Sequence, residues 1–503
     1  MRLILLVCSL VATGVVAVKW LRVAQREHYI AGSVTRFALR WWRLSTLGLV
    51  LLGVCVIGAG AAAAVPLAGL VSLAVAVVAP LGLSLRGRTS KLRWTSRLRR
   101  AAAAGAVVTI VVAGLAFWAH ATPVLALLPV LAPLLTDAAL AVMRPVEYRL
   151  VSPFVVRATE RLRRIKPRVI AITGSYGKTT TKNYVAHLVN PTFPTLATPA
   201  SYNNRVGLAR AINEHLAAGT DVFVAEVGTY GVGEIRDVCE WLRPDVAAIT
   251  AIGPVHLERM RSIETIVTAK LEITERARTS ILNVDVPGLA AARAAIAADG
   301  RETIGVSGAA STAAEVVVLD DGAEKVLLLD GAEAARFTSD GENGNIAVAA
   351  AAAAAVGVPW PDIIKRLSDL PTTSHRQTTL TTDEGVLVID DTYNANPSGA
   401  AVALAKLRRL DASRRAVVTP GMVELGSEQA ARNRAFAEQA SREADFLVVV
   451  GRTNRAALTA GAAGGTAKVV LMATRDEAVA WVRATLHNGD AVLYENDLPD
   501  HYP

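Results

Sequence analysis

Only three cysteines occur in 503 residues, at positions 8, 55 and 239, too few and too far apart for a disulfide framework or a CxxC metal site. Acidic residues are scarce in the first third. Up to Arg168 there are 4 Asp and Glu against 22 Lys and Arg, leaving 40 against 31 for the remainder. The net charge of +9 is therefore a property of the N-terminal part. Its basic residues lie between apolar runs rather than on a soluble face with aromatics, which excludes nucleic acid as a partner. Charge of either sign is missing from 3–18, 44–65, 66–85 and 101–123, and 124–143 holds only Asp137. With so little charge inside these runs there is no path for a charged transport substrate. A Walker B run ending in Asp-Glu is also lacking, so a transporter ATPase is excluded.

What is present follows from those runs. Their lengths predict five membrane spans, and 52% apolar content overall agrees. No small-x-small site follows the first run, which is read as a span and not as a cleaved signal. Lys19, Arg22, Arg26, Arg36, Arg40 and Arg43 crowd the first loop, and Arg86, Arg88, Lys91, Arg93, Arg97, Arg99 and Arg100 the third. By the positive-inside rule both face the cytoplasm, which puts the N-terminus outside and the C-terminal two-thirds inside. Trp20, Trp41, Trp42, Trp94 and Trp118 stand near span ends. The expected organisation is a membrane domain (1–145), a basic juxtamembrane segment (146–166) read equally as a leaflet-bound or a solvated helix, a central unit (167–375) and a C-terminal unit (376–503). The expected localisation is a bacterial plasma membrane, multi-pass, with the catalytic units cytoplasmic.

Beyond Arg168, apolar runs alternate with helical stretches: 168–173, 222–227, 246–252, 386–389, 416–419, 446–450, 468–472 and 491–494. This predicts α/β architecture: a phosphate-loop ATPase unit with a mostly parallel sheet, then a smaller Rossmann-like unit. Residues 316–341 read as short antiparallel strands carrying Asp320, Asp321 and Asp330, and 346–356 as an alanine-rich helix.

The segment TGSYGKTTTKN at 173–183 carries the chemistry. Gly174 and Gly177 let backbone N–H groups approach phosphate, with Ser175 between them. Lys178 adds a cation, and the hydroxyls of Thr179 and Thr180 open the next helix, the first suited to magnesium. Glu226 ends the run VFVAEVG, His256 follows another strand in ITAIGPVHLE, and Lys270 lies in TAKLEI.

These motifs in order, with YNNRVG, EVGTYGVGEI, ILNVD at 281–285, DDTYNANPSGA at 390–400 and GMVELG at 421–426, resemble the Mur ligase family, most closely its D-alanyl-D-alanine-adding branch. The resemblance covers about 166–490. It implies an ATP-dependent carboxylate–amine ligase working through an acyl phosphate. Lys178 would hold the β and γ phosphates, and Thr179 with Glu226 a first magnesium. His256 matches the ligand of a second magnesium, and Lys270 the lysine carbamylated in several relatives. Arg376 matches an arginine directed at ATP phosphates, and Asp391, Tyr393, Asn394 and Asn396 a nucleotide loop. Asn203 and Asn204 are candidate substrate contacts. The implied partners are the bilayer, a cell-envelope precursor with a free carboxylate, and an amino-acid or peptide amine.

Three features depart from the family. Its uridine-nucleotide-binding domain has no counterpart, which points to a lipid-linked acceptor. The end GDAVLYENDLPDHYP puts Glu495, Asp497 and Asp500 where the branch has a basic stretch, which favours a cationic amine. Gly344-Asn345 and Ala200-Ser201 replace His-Asn and Gly-Asn at positions read as facing substrate. A polymer synthase of poly-γ-glutamate type and a nucleotide-binding scaffold without turnover stay open as alternatives.

Overall fold

The computed structural model describes residues 1–43, 46–79, 83, 92–199, 202–255, 257–371, 378–392 and 396–498, and among these the regular elements up to residue 165 are helices. They are α1 (Arg2–Arg26), α2 (Ser33–Arg43), α3 (Thr46–Ala61), α4 (Ala68–Val78), α5 (Ser96–Trp118), α6 (Thr122–Leu127) and α7 (Ala132–Ile165). Among the described residues, two helices, α1 and α5, are long and apolar enough to cross a membrane. There are three if α2 and α3 count as one span bent by 110°. The expected runs 3–18 and 101–123 correspond to α1 and α5. Pro66 precedes α4, which has 11 residues; Pro123 lies at the start of α6, which has 6, and Pro129 and Pro133 follow it. The outside of the bundle is nonetheless apolar, with Val7, Val11 and Val15 of α1, Ile57 of α3, and Val107, Val111, Leu115 and Trp118 of α5 exposed.

Asp137 has a structural task in this bundle. Its carboxylate accepts from Thr35 N–H at 2.7 Å and Val34 N–H at 3.3 Å, capping the N-terminus of α2. Helix α7 runs on for 34 residues, about 51 Å, through Pro145 and Pro153. Residues 146–166 are therefore its second half, and Val155, Ala158 and Leu162 are buried in the core of the next unit with Leu208 and Ile212.

That unit contains β1 (Arg168–Thr173), α8 (Lys178–Val189), β2 (Thr195–Ala197), α9 (Arg205–His215), β3 (Val222–Glu226), α10 (Glu234–Leu242), β4 (Val246–Ile249), α11 (Leu257–Met260) and α12 (Ile263–Leu271). It continues with β5 (Thr279–Asn283), α13 (Pro287–Ala298), β6 (Glu302–Ser307), β7 (Val316–Asp321), β8 (Glu324–Leu329), β9 (Ala332–Phe337), α14 (Asn343–Ala355) and α15 (Trp360–Arg366). The sheet order is β2-β3-β1-β4-β5-β6-β7-β8-β9, parallel as far as β7 and antiparallel beyond. Fully buried strands such as VFVAE read as continuous apolar runs because helices cover both faces. One of those helices is α14, whose residues from Asn345 to Ala353 are all buried, as expected of a helix apolar all round.

The last unit has β10 (Thr378–Thr381), β11 (Leu387–Asp391), α16 (Pro397–Arg409), β12 (Arg415–Thr419), α17 (Gln429–Glu443), β13 (Phe446–Val450), α18 (Arg455–Ala462), β14 (Lys468–Met472), α19 (Arg475–Thr485) and β15 (Ala491–Glu495). Its order is β10-β11-β15-β12-β13-β14, with only β10 antiparallel. The mixed α/β classes expected for both units are observed.

Candidate active site

The phosphate-type loop leaves the C-terminal end of β1, the central strand between β3 and β4. It is pinned from the β4 side: Ser175 N–H donates to Ala251 O at 2.7 Å, Ser175 Oγ to Gly253 O at 3.1 Å, and Thr250 Oγ1 to Tyr176 O at 2.5 Å. Gly174 is obligatory, because a Cβ there would overlap Thr250 Oγ1. Gly177, at φ +77°, starts α8 in the left-handed region, and its missing Cβ makes room for Asn345 Oδ1. Lys178 reaches back over the loop, donating to Gly174 O at 2.8 Å and Ser175 O at 3.3 Å. Thr180 shares the first turn of α8.

Glu226 arrives from the end of β3 and lies beside this turn, nearly buried at 2% exposure. Thr179 Oγ1 donates to its Oε2 at 2.9 Å, and Asn203 Nδ2 to its Oε1 at 3.1 Å. The backbone N–H of Glu226 donates to Thr198 Oγ1. Lys182, unremarked in the sequence, is the counter-ion: its Nζ lies 3.5 Å from Glu226 Oε2 and donates to Thr198 O at 2.9 Å. Burial lowers the pKa of its ammonium and Glu226 opposes that shift. A signal was available, since Lys182 follows Lys178 by four positions and so shares a helix face with it.

Lys270, in the last turn of α12, is fully buried, and burial drives its pKa well below the ordinary lysine range, with the charge of Lys178 adding to the effect. Among the described residues it forms no ion pair. Asn345 is held by Thr181 Oγ1 at 3.3 Å and donates to Glu342 Oε2 at 2.8 Å, so it supports the loop through Gly177. This corrects its reading as a substrate-facing position. Asn204 accepts from Gly207 N–H at 2.9 Å and caps α9, while Asn203 faces the site.

In the last unit, Asn396 caps α16 by accepting from Gly399 N–H at 2.9 Å, with Pro397 at the first helical position. Asp391 ends β11 directly across from Glu495 of β15. Glu495 is fully buried: Thr419 Oγ1 donates to its Oε2 at 2.7 Å, and desolvation, reinforced by Asp391, pushes its carboxyl up to about 8. Asp497 is bound to Arg475 at 2.5 Å. Of the acidic residues in this segment, Glu495 is thus a buried carboxyl and Asp497 a paired carboxylate. His256, Arg376, Tyr393, Asn394, Ala200, Ser201 and Asp500 lie outside the described residues, as do Arg86, Arg88 and Lys91.

Family profiles match both units, the Mur ligase middle domain over residues 172–356 and the Mur ligase glutamate ligase domain over 375–494. The UDP-N-acetylmuramoyl-tripeptide–D-alanyl-D-alanine ligase of Mycobacterium tuberculosis is 31% identical over 360 residues, covering 65% of this chain and 69% of that protein. The chain belongs to the Mur ligase family. It is an ATP-dependent ligase of that family. The Escherichia coli enzyme of the same name is 29% identical over 309 residues, covering 60% of this chain and 68% of its own. Among solved structures, MurF from Acinetobacter baumannii superposes with a TM-score of 0.60 at 25% identity, over 68% of this chain and 77% of that one. MurF from Thermotoga maritima in complex with ADP shares the fold at TM-score 0.58 and 24% identity, over 69% and 80%. The Mur ligase cradle has the donor set a magnesium nucleotide requires: a glycine turn that a Cβ would fill, a lysine on that turn, and a hydroxyl and a carboxylate already within 2.9 Å of each other.

Proposed function

We propose that this ligase joins the carboxylate of a cell-envelope precursor of peptidoglycan type, carried on a lipid, to an amino-acid or peptide amine. The observation that carries the reading is the cluster of Thr179, Glu226, Asn203 and Lys182 beside the loop that Lys178 crosses. Lys178 and the N-terminus of α8 would offset phosphate charge as the acceptor carboxylate attacks the γ-phosphorus of ATP and ADP leaves, and the amine then displaces phosphate from the acyl group, losing a proton as the amide forms. Thr179 and Glu226 would hold one magnesium, and His256 a second. Such an ion supplies Lewis-acid neutralisation of the phosphate oxygens. Burial lowers the pKa of the Lys270 amine, which favours its addition to carbon dioxide to give a carbamate with release of a proton. Arg376, Asp391, Tyr393, Asn394 and Asn396 are assigned to the nucleotide side of the C-terminal unit.

The lipid part of the proposal rests on the N-terminal helices. An apolar bundle surface of this extent fits hydrocarbon, and the basic residues between its runs fit the cytoplasmic leaflet of a bacterial plasma membrane. In this reading 1–145 is the membrane unit, 146–166 its tether, 167–375 the nucleotide unit and 376–503 the closing unit. The test is phosphate release by purified full-length protein in nanodiscs, with lipid-linked and UDP-linked muramoyl peptides offered separately. Release stimulated only by UDP-linked acceptors would overturn the lipid assignment. Mass spectrometry of precursors accumulating in a Lys178→Ala strain would identify both partners, and products longer than one addition would favour the polymer synthase.

A further inference from the structure

Helix α11, which begins directly after position 256, is gripped from three sides. From the turn between α1 and α2, Glu27 accepts from Arg259 Nη2 at 2.8 Å, while Arg40 of α2 pairs with Glu258. From the C-terminal unit, Glu424 Oε1 stands 3.5 Å from the same Nη2, and the Glu424 carbonyl accepts from Glu258 N–H at 3.3 Å. Gly426 packs so closely that a Cβ there would meet Glu258 N at 3.1 Å. From the nucleotide unit, the Tyr230 ring lies 5.0 Å from the Arg259 guanidinium, and His28 of the α1–α2 turn stacks on that ring at 4.8 Å. The Arg259 side chain is only 9% exposed and Glu27 12%, so these charges interact with little solvent between them.

The grip has a route to the chemistry. Leu257 and Met260 of α11 form one buried cluster with Ile266 and Ala269 of α12, and Ala269 directly precedes Lys270. A second attachment lies elsewhere: α7 enters the core of the nucleotide unit, and Tyr148 on it donates to Asp237 at 2.8 Å, where Arg205 also binds. Two separated attachments fix an orientation that α7 alone would leave free to swing.

We propose that Arg259 is a positioning residue through which the N-terminal bundle and the C-terminal unit together set the place of α11 and of the helix bearing Lys270. The bundle is then a working part of the ligase and not only an anchor. This rests on the proposed ligase reading for the role of Lys270, but the clamp itself can be measured without turnover.

The experiment uses full-length protein in nanodiscs, comparing wild type with Glu27→Gln, Arg259→Gln and the double variant, by hydrogen exchange and by steady-state kinetics. Glu27→Gln changes one partly exposed side chain and keeps its shape, so it tests the clamp even where Arg259→Gln folds poorly. The expected result is faster amide exchange in both 257–271 and 421–426 in Glu27→Gln, with kcat lowered roughly threefold to thirtyfold and KM for ATP unchanged. In the Arg259→Gln background, Glu27→Gln adds little. Unchanged exchange at 421–426 would overturn the clamp, and faster exchange with unaltered kcat would overturn its positioning role. Wild type that ligates no offered acceptor while the exchange coupling holds would count against the ligase reading alone.

Discussion

Replacing Glu495 with Gln should stabilise the C-terminal unit, and increasingly so as pH rises. Glu495 closes a central strand, between β11 and β12, where no water reaches it. Its Oε1 has no hydrogen-bond partner among the described residues, and Asp391 stands across the register. Burial raises its pKa from 4.5 to about 8. The folded state therefore keeps a proton that the unfolded chain releases, so stability is fullest below the unfolded pKa and is lost as pH rises toward about 8. At pH 7 the unfolded side chain is some 2.5 pH units past its own pKa. At about 1.4 kcal/mol per unit the loss is about 3 kcal/mol, approaching about 5 kcal/mol above pH 8. Glutamine has the same shape, still accepts from Thr419 and cannot ionise. Thermal melts of the C-terminal unit, followed within the full chain, should show Glu495→Gln roughly 10 °C above wild type at pH 7 and nearly level with it at pH 5. An equal gap at both pH values would refute the buried neutral carboxyl.

Other expectations follow from the same geometry. Gly177→Ala puts a Cβ against Asn345 at a left-handed φ and should cost about 1–3 kcal/mol in melts while abolishing detectable ATP binding by calorimetry. Lys182→Met leaves Glu226 buried without its counter-ion and should destabilise the nucleotide unit by about 3–5 kcal/mol, with magnesium partly restoring stability in a titration. Asp137→Ala strands two amide donors at the start of α2 and should cost about 1–3 kcal/mol, read as the denaturation midpoint of the detergent-solubilised protein. Because Asp137 is a cap, Asp137→Asn should recover part of that loss.

The α/β units were legible where burial is complete on both faces. The runs ending in Thr173 and Glu226 are largely apolar strands that lead into the phosphate-type loop and into the site carboxylate, since parallel strands present their C-terminal ends to the same edge. Strands β5 and β6, read as TSILN and ETIGVS, were missed because hydroxyls and a glycine interrupt the apolar pattern, and Thr279 finds its partner only in the folded sheet, donating to Glu302 at 2.7 Å. The residues around Glu226 divide in the same way. Thr179 stands out by motif, whereas Lys182 offers only its i+4 spacing from Lys178, and its role as counter-ion emerges once β3 brings Glu226 against α8. The GDAVLYEND segment reads as an acidic loop because its composition does not reveal strand register. Here the register of β15 carries Glu495 into the sheet centre, and Arg475 on α19 claims Asp497. Of the five apolar runs, 3–18 and 101–123 coincide with α1 and α5, whereas 66–85 and 124–143 contain prolines, which apolar length alone does not register.

The N-terminal bundle is costly to explain as an anchor alone. A single helix tethers an enzyme to lipid, yet here α7 continues from the bundle into the nucleotide core and the α1–α2 turn meets α11 beside the C-terminal unit. On the proposed membrane reading, a mount with two attachments would hold the cradle at a fixed height and angle over the bilayer. A freely diffusing acceptor gains nothing from such a fixed geometry. For an acceptor confined to the same surface, the mount turns capture into an encounter at millimolar effective concentration, provided the reach matches. Activity should therefore depend on acceptor and enzyme sharing one membrane. Splitting them between separate nanodiscs should abolish turnover of the lipid-linked substrate while leaving nucleotide binding intact, and undiminished turnover across discs would break the link between mount and substrate.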